Sequence, residues 1–270
     1  MKTSNSAFLI ITVAVIFVTV SCNKAEREDL RQSAKDHALA EAIFNDINQQ
    51  TDNAYDESSD TTKSTLSGCP VISLLRADST NSDTLIVDFG TGCTDSRGIT
   101  RSGKIISTFT GKYRDAGTVI TTTLDNFYRN GYLVKGTKTV TNGGADNDGN
   151  IVFNVHVSNA AITTDEGAIR WSSTRTRKWI QGQNTSWPNI GDDVYLVSGT
   201  ASGINATGND FDVTITNDLR IELGCRWIVS GTIEITPESG EVRKVDFGDG
   251  TCDDNATLSI KNKTYNVTLR

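Results

Sequence analysis

The chain has 270 residues, enough for one large domain or two small ones with a real hydrophobic core. Its formal net charge is -7, with 33 Asp and Glu against 26 Lys and Arg, and this argues against a nucleic-acid partner, whose backbone requires a basic face. A single Met, 23 Gly and an abundance of Thr, Ser, Asn and Asp describe a turn-rich β protein rather than a helical bundle.

Lys2, the apolar run from Ala7 to Val20 and the pair Ser21-Cys22 form the three parts of an export signal, and the run is too short for a comfortable membrane span. Val18-Thr19-Val20-Ser21-Cys22 resembles a bacterial lipobox, with Thr19 where an aliphatic residue is usual. Residues 1–21 are therefore expected to be a lipoprotein signal peptide and Cys22 the acylated first residue, held on a bilayer by its fatty chains. The competing expectation is an ordinary signal peptide with a chance cysteine. Asn23 and the charged run Lys24 to Asp29 point to an outer-membrane lipoprotein, on its periplasmic or its cell-surface face.

Residues 22–50 are good helix formers, and Leu39, Ala42, Ile43 and Ile47 fall at helical spacing with Phe44 beside them. One amphipathic helix is expected, with a solvated, charged first half and a later half that packs on a core. Residues 51–68, polar and acidic, read as a linker into which the helix runs a few residues. Residues 69–270 read as a single β domain of repeated hairpins. Val71 to Leu75 and Leu85 to Phe89 flank a polar loop. Ile99 to Asn142 holds three extended segments divided by turns at Asp115-Ala116-Gly117 and Asn130-Gly131. Ile151, Phe153, Val155 and Val157 alternate with polar neighbours, so one face of that strand is buried and the other largely wet. Arg170 to Trp179 is polar at most positions. Gly103, Gly136, Gly167, Gly199 and Gly231 recur at about 32 residues, a spacing suited to a two-stranded unit. The fold class expected is mainly β: an extended antiparallel meander, open or partly curled, with one N-terminal amphipathic helix.

Four cysteines remain. Cys69 and Cys93 lie symmetrically about Asn81, and Cys225 and Cys252 about Glu238-Ser239, so simple hairpins place each pair directly across two strands within disulfide reach. In the second hairpin the same register sets Glu234 opposite Arg243 and Ile235 opposite Val242. An exported protein meets an oxidising compartment, which favours two local disulfides. A thiolate zinc site is the rival reading, and no two cysteines stand at its short spacing.

Candidate chemistry is sparse. Asp88-Phe89-Gly90 and Asp246-Phe247-Gly248 lack every companion motif of a kinase and read as a repeated strand end. Their aspartates, with Asp95, Asp253 and Asp254, and the Asp146-Asn147-Asp148-Gly149-Asn150 turn are candidate calcium ligands, but tight turns account for both. His37 and His156 are the only histidines; His156, on a polar strand face, is the sole strand imidazole for a Ser-His-Asp arrangement and otherwise a solvated side chain. Trp171, Trp179 and Trp187 are candidate ligand-stacking residues, against the alternative that they fill the core. No metal or cofactor is expected.

The stretches Ile86 to Cys93, Arg101 to Ile105, Trp171 to Arg177 and Val229 to Ile235 resemble those of an uncharacterised family of Bacteroidota envelope lipoproteins. The resemblance implies an envelope location and a mostly β fold, and it transfers no functional residue. The expected role is a non-catalytic binding module for a lipid, a glycan or an envelope protein, joined to the membrane through its N-terminal lipid. The alternatives are a structural surface lipoprotein and a hydrolase using scattered acidic residues.

Overall fold

The computed structural model describes residues 21–59, 69–76, 83–185, 190–225 and 227–268. Residues 1–20 of the expected signal peptide and the second half of the stretch read as a linker lie outside these residues. The chain opens with helix α1 (Ser21–Ser59) and continues through β1 (Val71–Leu75), β2 (Asp83–Asp88), β3 (Cys93–Thr94), β4 (Thr100–Phe109), β5 (Val119–Arg129), β6 (Tyr132–Ala145) and β7 (Ile151–Thr164). Then follow β8 (Gly167–Gln181), β9 (Val194–Ile204), β10 (Asp210–Glu222), β11 (Ile228–Pro237), β12 (Arg243–Asp249), β13 (Asn255–Ile260) and β14 (Lys263–Thr268). All belong to one 14-stranded antiparallel meander in chain order, with only β3 set aside against β4, and the sheet does not close.

The helix outruns the expected boundary at residue 50. Thr51 and Ala54 are each 3 % exposed and continue the buried stripe of Ala40, Ile43, Phe44 and Ile47, so packing carries the helix through residues whose composition reads as linker. At the other end the expected solvated half is also shorter: Ser33, Asp36 and His37 are already buried. The side chains before Gln32 are outside the description.

The helix runs along the strands, inside a trough. Part-way along it Lys35 and Asp36 meet the β7–β8 and β9–β10 turns, at Glu166 and Ala206; near its end Tyr55 stacks on Phe109 and faces Tyr113 in the β4–β5 turn. Thr51 touches Ser107 of β4 while its neighbour Asp52 feels Arg177 of β8. Those strands stand about 19 Å apart in a flat sheet, four steps of roughly 4.8 Å. Only a sheet bent around the helix brings both to adjacent helical residues, and α1 indeed reaches strands from β1 to β11.

The recurring glycines are where the bending happens. Gly103 (φ +79) faces Asn126 (φ 45) across β4 and β5, and Gly136 (φ +138) faces the segment around Asn159 (φ 53) across β6 and β7, each at a break in register. An extra residue on one strand kinks it and tightens its twist. Gly199 and Gly231 make similar close approaches, but to the preceding strands, β9 against β8 and β11 against β10, and β6 to β9 is a step of three strands, so the even spacing in sequence is not a strict two-stranded period. Gly167 packs instead at a turn, against Ala206.

Both disulfides form, with Cα–Cα distances of 5.6 Å for Cys69–Cys93 and 5.8 Å for Cys225–Cys252. The registers expected around them need correcting. Val71 pairs with Asp88 rather than Thr91, because the chain turns at Phe89 to Gly92 and Cys93 returns in β3. In the second hairpin Ile235 pairs with Arg243 and Glu234 with Lys244, one residue from the expected register. Arg243, Val245 and Phe247 share the inward side of β12, and exposed Val242 falls outside the strand. The opposite-charge pair survives, with Lys244 in the role given to Arg243.

Candidate functional site

Two surfaces carry chemistry: the seam between helix and sheet, and the outer face of the sheet. In β8 the odd-numbered residues Ile169, Trp171, Ser173, Arg175 and Trp179 are all buried against the helix side. The strand that reads as mostly polar is thus an inner strand, and its arginines face inward because α1 brings acids to meet them.

Asp46 accepts hydrogen bonds from Arg101 Nε at 2.8 Å and Arg129 Nε at 3.1 Å, and Arg101 reaches on to Asp95 Oδ2 at 3.0 Å. Glu41 accepts from Arg175 Nη2 at 2.9 Å. Lys138 donates to the Phe44 carbonyl at 3.0 Å. Burial and the nearby Arg177 guanidinium pull Lys138 down to about 7, against the opposing pull of Asp52 and Glu41. Arg177 lies over the rings of Phe153 and Tyr195, at 4.9 and 4.7 Å, and donates to the Tyr113 hydroxyl. Burial pushes Asp52 up while Arg177 and Lys138 hold it down. Nothing in the separate strands announces this seam. Its signal is joint: Asp36, Glu41, Asp46 and Asp52 on the helix set beside inward-facing basic residues on β4, β5, β6 and β8.

The outer face is a lattice of hydroxyls. Thr84, Thr108, Thr121, Thr139, His156, Thr174, Thr200 and Thr214 stand opposite one another in direct register across β2, β4, β5, β6, β7, β8, β9 and β10. Strands stand about 4.8 Å apart, so these side chains form one rank crossing the sheet. Beside it Ser172 and Ser202 share a hydrogen bond at 3.1 Å, and His156 Nδ1 meets Thr174 Oγ1 at 3.1 Å. His156, Ser172, Thr174, Thr200, Asp212 and Thr214 line a shallow groove of 360 Å³ on this face.

The other candidates settle into structural places. Trp171 is 3 % exposed, stacks on Phe44 and donates Nε1 to His37 Nδ1; Trp179, also 3 % exposed, stacks on Tyr195 under Arg114. Neither offers a face to a ligand, and both fill the core as the alternative reading has it. Trp187 lies outside the described residues, as does the Cys22 side chain. Asp88 and Asp246 each accept a hydrogen bond from the backbone two residues on, at Gly90 and Gly248, so the repeated Asp-Phe-Gly is an Asx turn ending a strand. Asp146 caps its own turn, accepting from the N–H groups of Asp148 and Asn150, and pairs with Lys178; these contacts hold its carboxyl down at about 2. Among the described residues no three His, Cys, Asp or Glu side chains converge as a metal site, and no helix is long and apolar enough to cross a membrane.

No family model, curated protein or solved structure matches this chain. The functional reading therefore rests on its own residues.

Proposed function

We propose that this is a lipid-anchored outer-membrane protein of the cell envelope, of the uncharacterised Bacteroidota kind, whose outer sheet face binds a glycan without chemical conversion. The rank of seven threonines and His156, with the groove along it, is the observation that carries the reading. A surface of neutral hydroxyls, each both donor and acceptor, suits a partner that is itself polyhydroxylated. The trough supports the outer face as the binding side, since α1 fills the inner one. Hydrogen bonding takes over the part assigned by sequence to aromatic stacking.

Binding is tested by screening the protein against arrayed envelope and extracellular polysaccharides, then repeating the positive ones with Thr174→Val and Thr200→Val combined. Affinity is expected to fall at least tenfold with an unchanged circular dichroism spectrum. If no polysaccharide binds, the structural surface role is the better reading, and the seating of α1 in the trough favours it. Anchoring is tested separately: mass spectrometry of the N-terminal peptide should find acylated Cys22, and Cys22→Ala should move the protein from the membrane to the soluble fraction.

A further inference from the structure

In the middle of the helix–sheet seam, buried guanidinium N–H groups outnumber the protein acceptors that reach them. Arg175 is 4 % exposed, and only its Nη2 has a protein acceptor, Glu41; its Nε and Nη1 are buried with none. Two residues along the same strand and on the same face, the Arg177 Nε is likewise buried without a protein acceptor. Lys138, buried on β6, adds a third basic group felt by Arg177, whereas Glu41 and Asp52 are the two acids that act on Lys138. A charged N–H taken out of water without an acceptor is among the costlier defects an interior can hold, and a stable fold rarely keeps several in one place.

We propose that a small monovalent inorganic anion of the halide class binds inside the seam between Arg175 and Arg177. Residues two apart on a strand have Cα atoms about 6.6 Å apart and side chains on the same face, which makes the two guanidinium groups neighbours for one small acceptor. The surroundings choose the size. The Phe153 and Tyr195 ring centroids lie 4.9 and 4.7 Å from the Arg177 guanidinium and Glu41 of α1 holds Arg175, so these crowded surroundings suit a compact anion better than a bulky sulfate, phosphate or carboxylate-bearing molecule. The fixed donors choose the sign. The bound anion supplies the acceptor that the Arg175 Nε and Nη1 and the Arg177 Nε lack, and it ties α1 to β8 through Glu41 and Arg175.

Bromide is the probe. Crystals of the whole protein grown in sodium bromide should give an anomalous peak within hydrogen-bond distance of Arg175 Nε. In solution, at fixed pH and ionic strength, the unfolding temperature should rise with bromide replacing gluconate, following a one-site curve. Arg175→Gln should abolish that rise. A wild-type map with water alone at this position, with bromide only at exposed lysines, or a bromide response unchanged in Arg175→Gln, would overturn the proposal. The map decides even if the variant does not fold.

Discussion

His37 shows how a single residue couples the helix to the sheet. It is 5 % exposed, accepts the Trp171 indole hydrogen at 3.3 Å and lies edge-on to Phe211, with Glu41 and Arg175 as its neighbouring charges. Burial is the main cause that depresses its pKa from 6.5 to about 4, with Glu41 opposing. Because the folded pKa lies below the unfolded one, the unfolded chain binds the proton first. Stability is then whole above about pH 6.5 and is lost as pH falls through about 4, by about 3 kcal/mol at most. Urea midpoints measured from pH 7 to 4 should fall less steeply in His37→Gln than in the wild type. Gly199 makes a different residue-scale demand. At φ +124 its missing Cβ would lie 2.1 Å from the Thr174 carbonyl oxygen, backbone against backbone, so no side chain can swing away. Gly199→Ala should cost about 2 kcal/mol or more by denaturant titration. A glycine inside a strand is visible in sequence as a bulge signal; what it approaches was not, because that depends on the neighbouring strand, and even spacing along the chain did not mean an even step across the sheet.

Between α1 and the strands, magnitudes separate the contacts that matter from those that decorate. Asp46 is 5 % exposed at its side chain and answers Arg101, itself 3 % exposed, and Arg129. Removing the carboxylate leaves two guanidinium groups facing a dry seam, and Asp46→Ala should destabilise by about 3–5 kcal/mol. The Lys35–Glu166 pair looks as good by distance, but its side chains are 59 % and 50 % exposed. Water and salt screen it, so Lys35→Ala should change stability by about 1 kcal/mol or less. Guanidinium titrations of the two variants side by side check the contrast; equal losses would mean that the buried seam is not what holds the helix. The elements themselves were legible where a period ran uninterrupted, as in β7 before Asn159. Registers were less so. Folding β12 about a symmetric turn put Ile235 across from Val242, although Arg243, Val245 and Phe247 already formed one alternating set. An arginine at the head of that set reads as polar and outward, and only the interior of a curled sheet explains why it is 1 % exposed.

For the whole molecule, the meander makes almost every strand contact a contact between neighbours in sequence, and α1 is the element that ties β1, β2, β4, β8 and β11 together. The disulfides cannot substitute for it, because each closes a local loop, of 24 and 27 residues in sequence separation. Whether the sheet was curled or flat was not legible from strand patterns, since alternation looks the same in both. The answer lay in the match between an acidic, apolar-striped helix and a basic, apolar-striped concave face that only the assembled chain brings together. The helix therefore acts as the core around which the sheet is wound, and not as a stem beneath it. A chain lacking residues up to Ser59 exposes Ile105, Ile162, Ile169 and Trp171 together with Arg101, Lys138 and Arg175, residues that now lie on the buried side. Apolar surface of that extent joined to unanswered charge does not stay folded as an open trough. The truncated protein should bind a hydrophobic dye and melt without a cooperative transition, while still forming both disulfides under oxidising conditions. A truncated chain that melts as sharply as the full one, at the same temperature, would show that the sheet sets its own curvature through the glycine bulges and that α1 merely occupies it.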